Sequence, residues 1–164
     1  MRQGTGGVAR PGSVQHVLAS FDCDEPVIDE WLKKRALSNH LVGASRTFVI
    51  ADPEHHVLGF YALAAGAVAH QHATGAVKRN MPDPIPVVVL ARLAIDRRAQ
   101  GMRLGGALLK DAVHRSVSVA ADTGVRALLV HALNDAAKEF YLHYGFQVSP
   151  AQPLTLMLRI ASLR

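Results

Sequence analysis

The stretch Ala94-Ile95-Asp96-Arg97-Arg98-Ala99-Gln100-Gly101-Met102-Arg103-Leu104-Gly105-Gly106-Ala107-Leu108-Leu109 restricts this chain more than any other. An apolar run, Pro86 to Ile95, enters a short basic turn with glycines, and a helix-forming run follows at once. Such an order leaves the first helical amides without intrahelical partners and sets the positive end of a helix dipole beside them. That is an anion site. Gly101, Gly105 and Gly106 carry no Cβ, so a ligand can approach the main chain closely. No Gly-Lys-Ser/Thr follows, which excludes a P-loop, and the glycine spacing does not fit the dinucleotide fingerprint.

Length and composition fit this reading. With 164 residues, 49% hydrophobic and 19% charged, the chain has enough apolar material for one globular domain. Residues 1–12 read as a mobile tail and 13–164 as a single domain. Met1 to Ser13 has no apolar core for a signal peptide. The longest apolar run, Val57 to Ala69, is interrupted by Gly59 and Gly66 and is too short to span a bilayer. The single cysteine, Cys23, rules out an internal disulfide and fits a reducing compartment, so the cytoplasm is expected. Cys23 lies between Asp22 and Asp24, charges that raise a thiol pKa and make it a passive residue. The net charge is +5. Lys33, Lys34, Arg35, Arg46, Lys78, Arg79, Arg92, Arg97, Arg98 and Arg103 contribute to it, an excess that suits a polyanionic partner and, on composition alone, equally a solvated surface with no partner. Aromatics are only 5%, so a nucleic acid would be held by phosphate contacts more than by base stacking.

Patterning predicts the elements. A helix starts at Asp24-Glu25-Pro26 and runs to about Ser38, with Ile28, Trp31, Leu32 and Leu37 on its buried stripe. Arg46–Ala51 and Val57–Val68 read as an antiparallel hairpin around Asp52-Pro53-Glu54-His55. A short helix is expected near Ala76 to Arg79. Val87–Leu90 and Leu93–Ile95 form a strand buried on both faces. Leu104 to Ala121 reads as a helix with Leu104, Leu108, Ala112 and Val119 inward and Lys110, Asp111 and Arg115 outward. A strand, Arg126 to Ala132, a helix capped by Asn134 or Asp135 and ended by Gly145, and a last strand, Leu154 to Ile160, complete the chain. This alternation predicts parallel neighbours joined by a crossover helix.

Two blocks carry a resemblance. Gln100-x-x-Arg103-x-Gly105 resembles the Gln/Arg-x-x-Gly-x-Gly/Ala loop of the GNAT N-acetyltransferases. Ala137-x-x-Phe140-Tyr141-x-x-x-Gly145-Phe146 is similar to their helix and bend beside the bound thioester. Further blocks resemble a narrower group, the acetyltransferase toxins of bacterial toxin–antitoxin pairs, of the TacT, KacT and AtaT kind. They are Ser20-Phe21-Asp22-Cys23-x-Glu25-Pro26-x-x-Asp29-Glu30-Trp31-Leu32, Gly43-Ala44-Ser45-Arg46-Thr47, Tyr61-Ala62-Leu63-Ala64-Ala65-Gly66 and Arg79-Asn80-Met81-Pro82-Asp83-Pro84-Ile85-Pro86. The likeness covers about Val14 to Leu158. Arg103 departs from the loop, standing where its middle glycine usually is.

The resemblance implies an α/β fold: a mixed twisted sheet with an antiparallel N-terminal half, parallel splayed central strands and helices on both faces. It implies acetyl-CoA as donor and the α-amino group of aminoacyl-tRNA as acceptor, and so a block of translation. It also implies a homodimer and a ribbon-helix-helix antitoxin, through which alone operator DNA is contacted. By position, Leu93, Ala94 and Ile95 would pair with the pantetheine arm. Gln100, Gly101, Met102, Arg103, Leu104, Gly105 and Gly106 would hold the pyrophosphate. Asn134 and Phe140 would line the thioester end, and Tyr141 would be the catalytic residue. Lys33, Arg35, Arg46, Lys78, Arg79 and Arg92 are the candidate tRNA contacts.

Two other readings stay open here: a GNAT enzyme acting on a small amine or a protein lysine, and a binding module that keeps the fold without turnover. Nine histidines raise a metal reading, but His55-His56 and His70-x-His72 lack a third ligand at zinc-like spacing, and no metal is expected.

Overall fold

The β-branched run Arg46–Ala51 and the apolar run Val57–Val68 form strands β2 and β3, paired antiparallel with Phe48 opposite Tyr61 and a bulge at Ile50/Ala51. Asp52 makes the turn between them. Its Oδ1 accepts the amides of Glu54 at 3.0 Å and His56 at 2.8 Å, a local bond that competes with strand pairing and reverses the chain. The computed structural model describes residues 9–13 and 16–160. Arg10–Pro11, expected within a tail, instead form a short strand, β1, on the outer side of β2, and Ala9 is buried. Residues 1–8 lie outside the described residues.

The first helical region is longer than its pattern suggested. Helix α1 (Pro26–Trp31) passes through one π turn (Leu32–Ala36) into α2 (Leu37–Val42), and Gly43 ends it at φ 82°. Leu32 and Ala36 are its fully buried residues, while Ile28 and Trp31 pack on the same cluster from a half-buried position. The later elements are α3 (Gly75–Lys78), β4 (Ile85–Ile95), α4 (Leu104–Thr123), β5 (Ala127–His131), α5 (Asp135–His143), β6 (Gln147–Val148) and β7 (Thr155–Arg159). Among the described residues the strands run β1-β2-β3-β4-β5-β7-β6 across one mixed sheet.

Strand β4 pairs parallel with β5, so Leu104–Thr123 is the expected crossover. Val87 and Val88 are both buried, as a strand covered on both faces requires. The last strand departs from expectation. β7 lies antiparallel to β5, and β6 antiparallel to β7. The two-residue β6 therefore runs in the same direction as β5 without pairing with it, and β7 lies between them. Two residues of Gln147–Val148 are too few to give a periodic signal, which hides this arrangement in the sequence.

The chain divides into two compact units. The first joins the stretch up to Ala64 with Ala91–Ala112; its core includes Phe21, Leu32, Val49, Phe60 and Ala94. The second joins Ala65–Leu90 with the stretch from Val113; its core includes Val77, Ile85, Val87, Leu129 and Met157. In the second unit the Arg126 guanidinium donates to the carbonyls of Val77 at 3.1 Å and Arg79 at 3.1 Å, which fastens the end of α3. Two residues of α4 differ from their expected sides. Val119 is exposed, and Asp111, read as outward, accepts a hydrogen bond from the buried Tyr61 hydroxyl.

Gly59 lets β3 lie close to its neighbours. A Cβ there would come within 2.8 Å of Ile95 Cδ1 and 3.0 Å of Leu108 Cδ1. Gly59→Val is expected to cost about 1–3 kcal/mol of stability in urea unfolding. Gly75→Ala, whose added methyl meets nothing within 4 Å, should leave the midpoint almost unchanged.

Candidate active site

The turn after β4 is built around one buried carboxylate, which the sequence reading did not single out. Asp96 is 1% exposed. Its Oδ1 accepts the Arg98 amide at 2.9 Å and Arg98 Nε at 2.8 Å; its Oδ2 accepts the Asp22 amide at 3.0 Å and Arg98 Nη2 at 3.3 Å. The carboxylate thus caps the 3-10 turn Arg97–Ala99 and ties it to the segment before α1 through Asp22. The Asp96 amide itself donates to the Leu58 carbonyl at 2.8 Å, and the Arg97 amide to the Asp22 carbonyl at 2.8 Å. Burial pushes the Asp96 carboxyl up, but the Arg98 side chain and the amides of Arg98 and Asp22 outweigh that and hold it below the usual range. Arg97 also pairs with Asp22 and Asp24, each at 3.4 Å. Arg97 and Arg98, counted in the sequence as part of a basic surface, are therefore committed to acids of the same unit.

Beyond this turn the chain leaves backbone donors free. Among the described residues, the amides of Gly101, Arg103, Leu104, Gly105 and Gly106 make no backbone hydrogen bond, and the first paired amide of α4 is Ala107, to Arg103 at 3.3 Å. These donors surround the N-terminus of a 20-residue helix, so they point positive charge at one spot. Gly101 has φ 88° and Arg103 φ 62°. Both lie in the left-handed region. Arg103 holds a left-handed conformation that glycine would take without strain, at a cost of about 1 kcal/mol or more. Gln100, exposed, donates from Nε2 to the Ile95 carbonyl at 3.2 Å. That occupies one main-chain acceptor of the Leu93–Ile95 segment, whose Ala94 is buried and whose other two residues are half-buried. Met102 stands out at 62% exposure.

The second unit places the other block. The Asn134 side chain accepts the Ala137 amide at 2.9 Å and so caps α5. Its carbonyl oxygen is thereby used, which leaves the amide nitrogen for a ligand. Tyr141 is buried, with Phe140 edge-on at 5.1 Å and Phe146 tilted at 5.4 Å. Burial alone pushes its phenol well above the ordinary tyrosine range. No described residue hydrogen-bonds the hydroxyl. Phe140 also packs on Tyr144 at 5.1 Å.

The candidate RNA contacts separate by unit. In the first, Arg35 and Arg92 line one groove with Trp31 and Lys34, whereas Lys33 is exposed on the same π turn outside it. Arg46 donates to the His40 carbonyl at 2.9 Å. In the second, Lys78 and Arg79 are adjacent and exposed at the end of α3. Cys23 is buried, and its thiol is pushed up to about 12 by desolvation first and by Asp29 second, not by the flanking acids. Among the described residues one set of possible metal ligands converges, Asp52, Glu54 and His56, within 4.8 Å. It uses acids of the hairpin turn rather than a histidine pair, and Asp52 is already engaged by the turn's amides. No described helix is long and apolar enough to cross a membrane.

Replacing Asp96 by Asn keeps the shape but turns an N–H group toward donors. A loss of about 1–3 kcal/mol at neutral pH is expected in urea unfolding. The folded carboxyl titrates below the unfolded value of about 3.9. Its contribution is therefore full above that pH and disappears as pH falls through the lower folded value. Below about pH 4 the wild-type and Asp96→Asn curves should converge.

Comparisons with known proteins agree with this geometry. Residues 44–148 match the model of the acetyltransferase (GNAT) domain. The chain is 53% identical over 147 residues to the tRNA-acetylating toxin of Mycobacterium tuberculosis, covering 90% of this chain and 88% of that one. It superposes with TM-score 0.85 and 29% identity on AtaT complexed with acetyl-methionyl-tRNAfMet, over 92% of each chain. A second solved structure matches at TM-score 0.80 and 27% identity, over 95% of this chain and 94% of that one. It is a tyrosine-to-phenylalanine mutant of AtaT bound to the C-terminus of the antitoxin AtaR and acetyl-CoA. A free-amide helix start after a parallel strand, a capped helix bearing a buried tyrosine, and these matches lead to one conclusion: the chain belongs to the GNAT acetyltransferase family.

Proposed function

We propose that this protein is the toxin of a toxin–antitoxin pair and that it transfers acetyl from acetyl-CoA to the α-amino group of aminoacyl-tRNA, blocking translation in the cytoplasm. The observation that carries this reading is the 53% identity, over nine-tenths of the chain, to a tRNA-acetylating toxin. The antitoxin complex of AtaT supports a protein partner of the same kind, and a homodimer belongs to the same reading.

The residues divide the work. The free amides of Gly101 and of Arg103 through Gly106 receive the diphosphate of acetyl-CoA, with the helix dipole behind them. The main chain of Leu93 to Ile95 aligns the pantetheine arm, and Asn134 and Phe140 bound the thioester end. An aminoacyl α-amine has a pKa of about 8 or lower, so a sizeable fraction is neutral without a strong base. The amine nitrogen attacks the thioester carbonyl, the C–S bond breaks, and its electron pair leaves on sulfur. Tyr141 Oη gives its proton to that sulfur as general acid. The nitrogen releases one proton to water, which restores the phenol. A phenol, of pKa about 10 when free, is protonated over the whole neutral range; burial raises it further, so direct contact with the sulfur rather than acidity must favour the transfer. Positioning of amine and thioester supplies most of the rate.

Mass spectrometry of amino acids released from bulk aminoacyl-tRNA tests the assignment. Wild type should yield acetylated products, and Tyr141→Phe should slow their formation by about 100-fold or more. Equal yields from both would remove Tyr141 from the chemistry. Acetylation of free amines or lysines with none on tRNA would overturn the substrate.

A further inference from the structure

The first unit contains a groove of about 340 Å³ lined by Val27, Glu30, Trp31, Lys34, Arg35 and Arg92. Its volume is at the low end for small-ligand sites. Trp31, the chain's single tryptophan, stacks one face on Phe60 with centroids 6.1 Å apart and planes 11° apart. Arg92 Cζ lies 4.9 Å from the centre of the Trp31 ring. Arg92 Nη1 donates to the Ala91 carbonyl at 2.8 Å. Among the described residues no carboxylate pairs with Arg92 or Arg35, while Lys34 and Glu30 neutralise each other at 2.7 Å. A half-buried guanidinium fixed by an aromatic ring and a carbonyl, with no counter-ion, retains both its charge and its flat face. Such a face takes a planar π system, and Arg35 beside it takes a phosphate.

Resting on the aminoacyl-tRNA reading above, we infer that this groove receives the base of the RNA's terminal nucleotide, lying on Arg92 and backed by Trp31, with the neighbouring phosphate on Arg35. Arg92 directly precedes Leu93–Ile95, the segment assigned to the acetyl-bearing arm. A terminal nucleoside seated there brings its esterified amino acid to that arm. The low aromatic content, which alone argues for phosphate contacts more than base stacking, misses this because one tryptophan suffices when an arginine extends its surface.

Because Trp31 is the single tryptophan, its emission reports on the groove in the unmodified full chain. Two RNAs would be titrated: uncharged tRNA, and the same tRNA with its terminal base removed. Emission would be read alongside an independent binding measurement by filter retention. The intact tRNA should change the emission and saturate at the concentration at which retention saturates. The abasic tRNA should bind about tenfold more weakly and leave the emission unchanged. Arg92→Lys, which keeps the charge and loses the plane, should raise KM for aminoacyl-tRNA about tenfold with kcat within twofold. Equal binding and equal emission changes with both RNAs would overturn the placement of the base, as would tight binding with no emission change. Absence of retention for either RNA would instead overturn the tRNA reading and this inference with it.

Discussion

The hydrogen bonding around the Asp96 carboxylate is the constraint on which the candidate site depends. A backbone leaving a buried strand must reverse before it can enter a helix, and its polar groups need partners as it does so. Asp96 supplies them from the strand side: it takes the amides of Asp22 and Arg98 and the Arg98 side chain. With the strand end satisfied from behind, the next amides are free to face outward. The turn is thus rigid on one side and unsaturated on the other, an arrangement suited to a ligand that brings its own negative charge.

This explains how Arg103 can hold a left-handed conformation. The position lies between a pinned 3-10 turn and the first turn of a long helix, so its φ is set by both neighbours rather than by its own preference. The strain is small beside the burial that holds the flanking elements. A similar division of roles governs α5. Asn134 spends its acceptor on capping the helix, and the helix then keeps Tyr141 among Phe140 and Phe146, where burial raises the phenol above its ordinary range.

Much of the architecture was legible because it rests on local chemistry. Arg46–Ala51 and Val57–Val68 were bounded correctly by β-branched runs and an Asx turn, and the helix read as Leu104 to Ala121 starts where expected and runs two residues further, to Thr123 before Gly124. What escaped was long-range or very short. Asp96 reads in sequence as one acid before two arginines, and only its 1% exposure and its bond to the Asp22 amide, 74 residues away, reveal its role. Asp111 sits on the expected outer stripe of its helix, yet the Tyr61 hydroxyl turns it inward. The two-residue strands at Arg10 and Gln147 are too brief for any period. The basic surface was overstated for the same reason: charge counting cannot show that Arg97 and Arg98 are paired.

Hydrogen–deuterium exchange of the intact protein, with and without acetyl-CoA, tests most directly whether the turn set by Asp96 presents its amides to a diphosphate. The account predicts that protection on binding concentrates in Gly101 and in Arg103 through Gly106, the amides left unpaired in the unliganded chain. Binding that leaves those amides exchanging as fast as before, with protection elsewhere in the sheet, would contradict it.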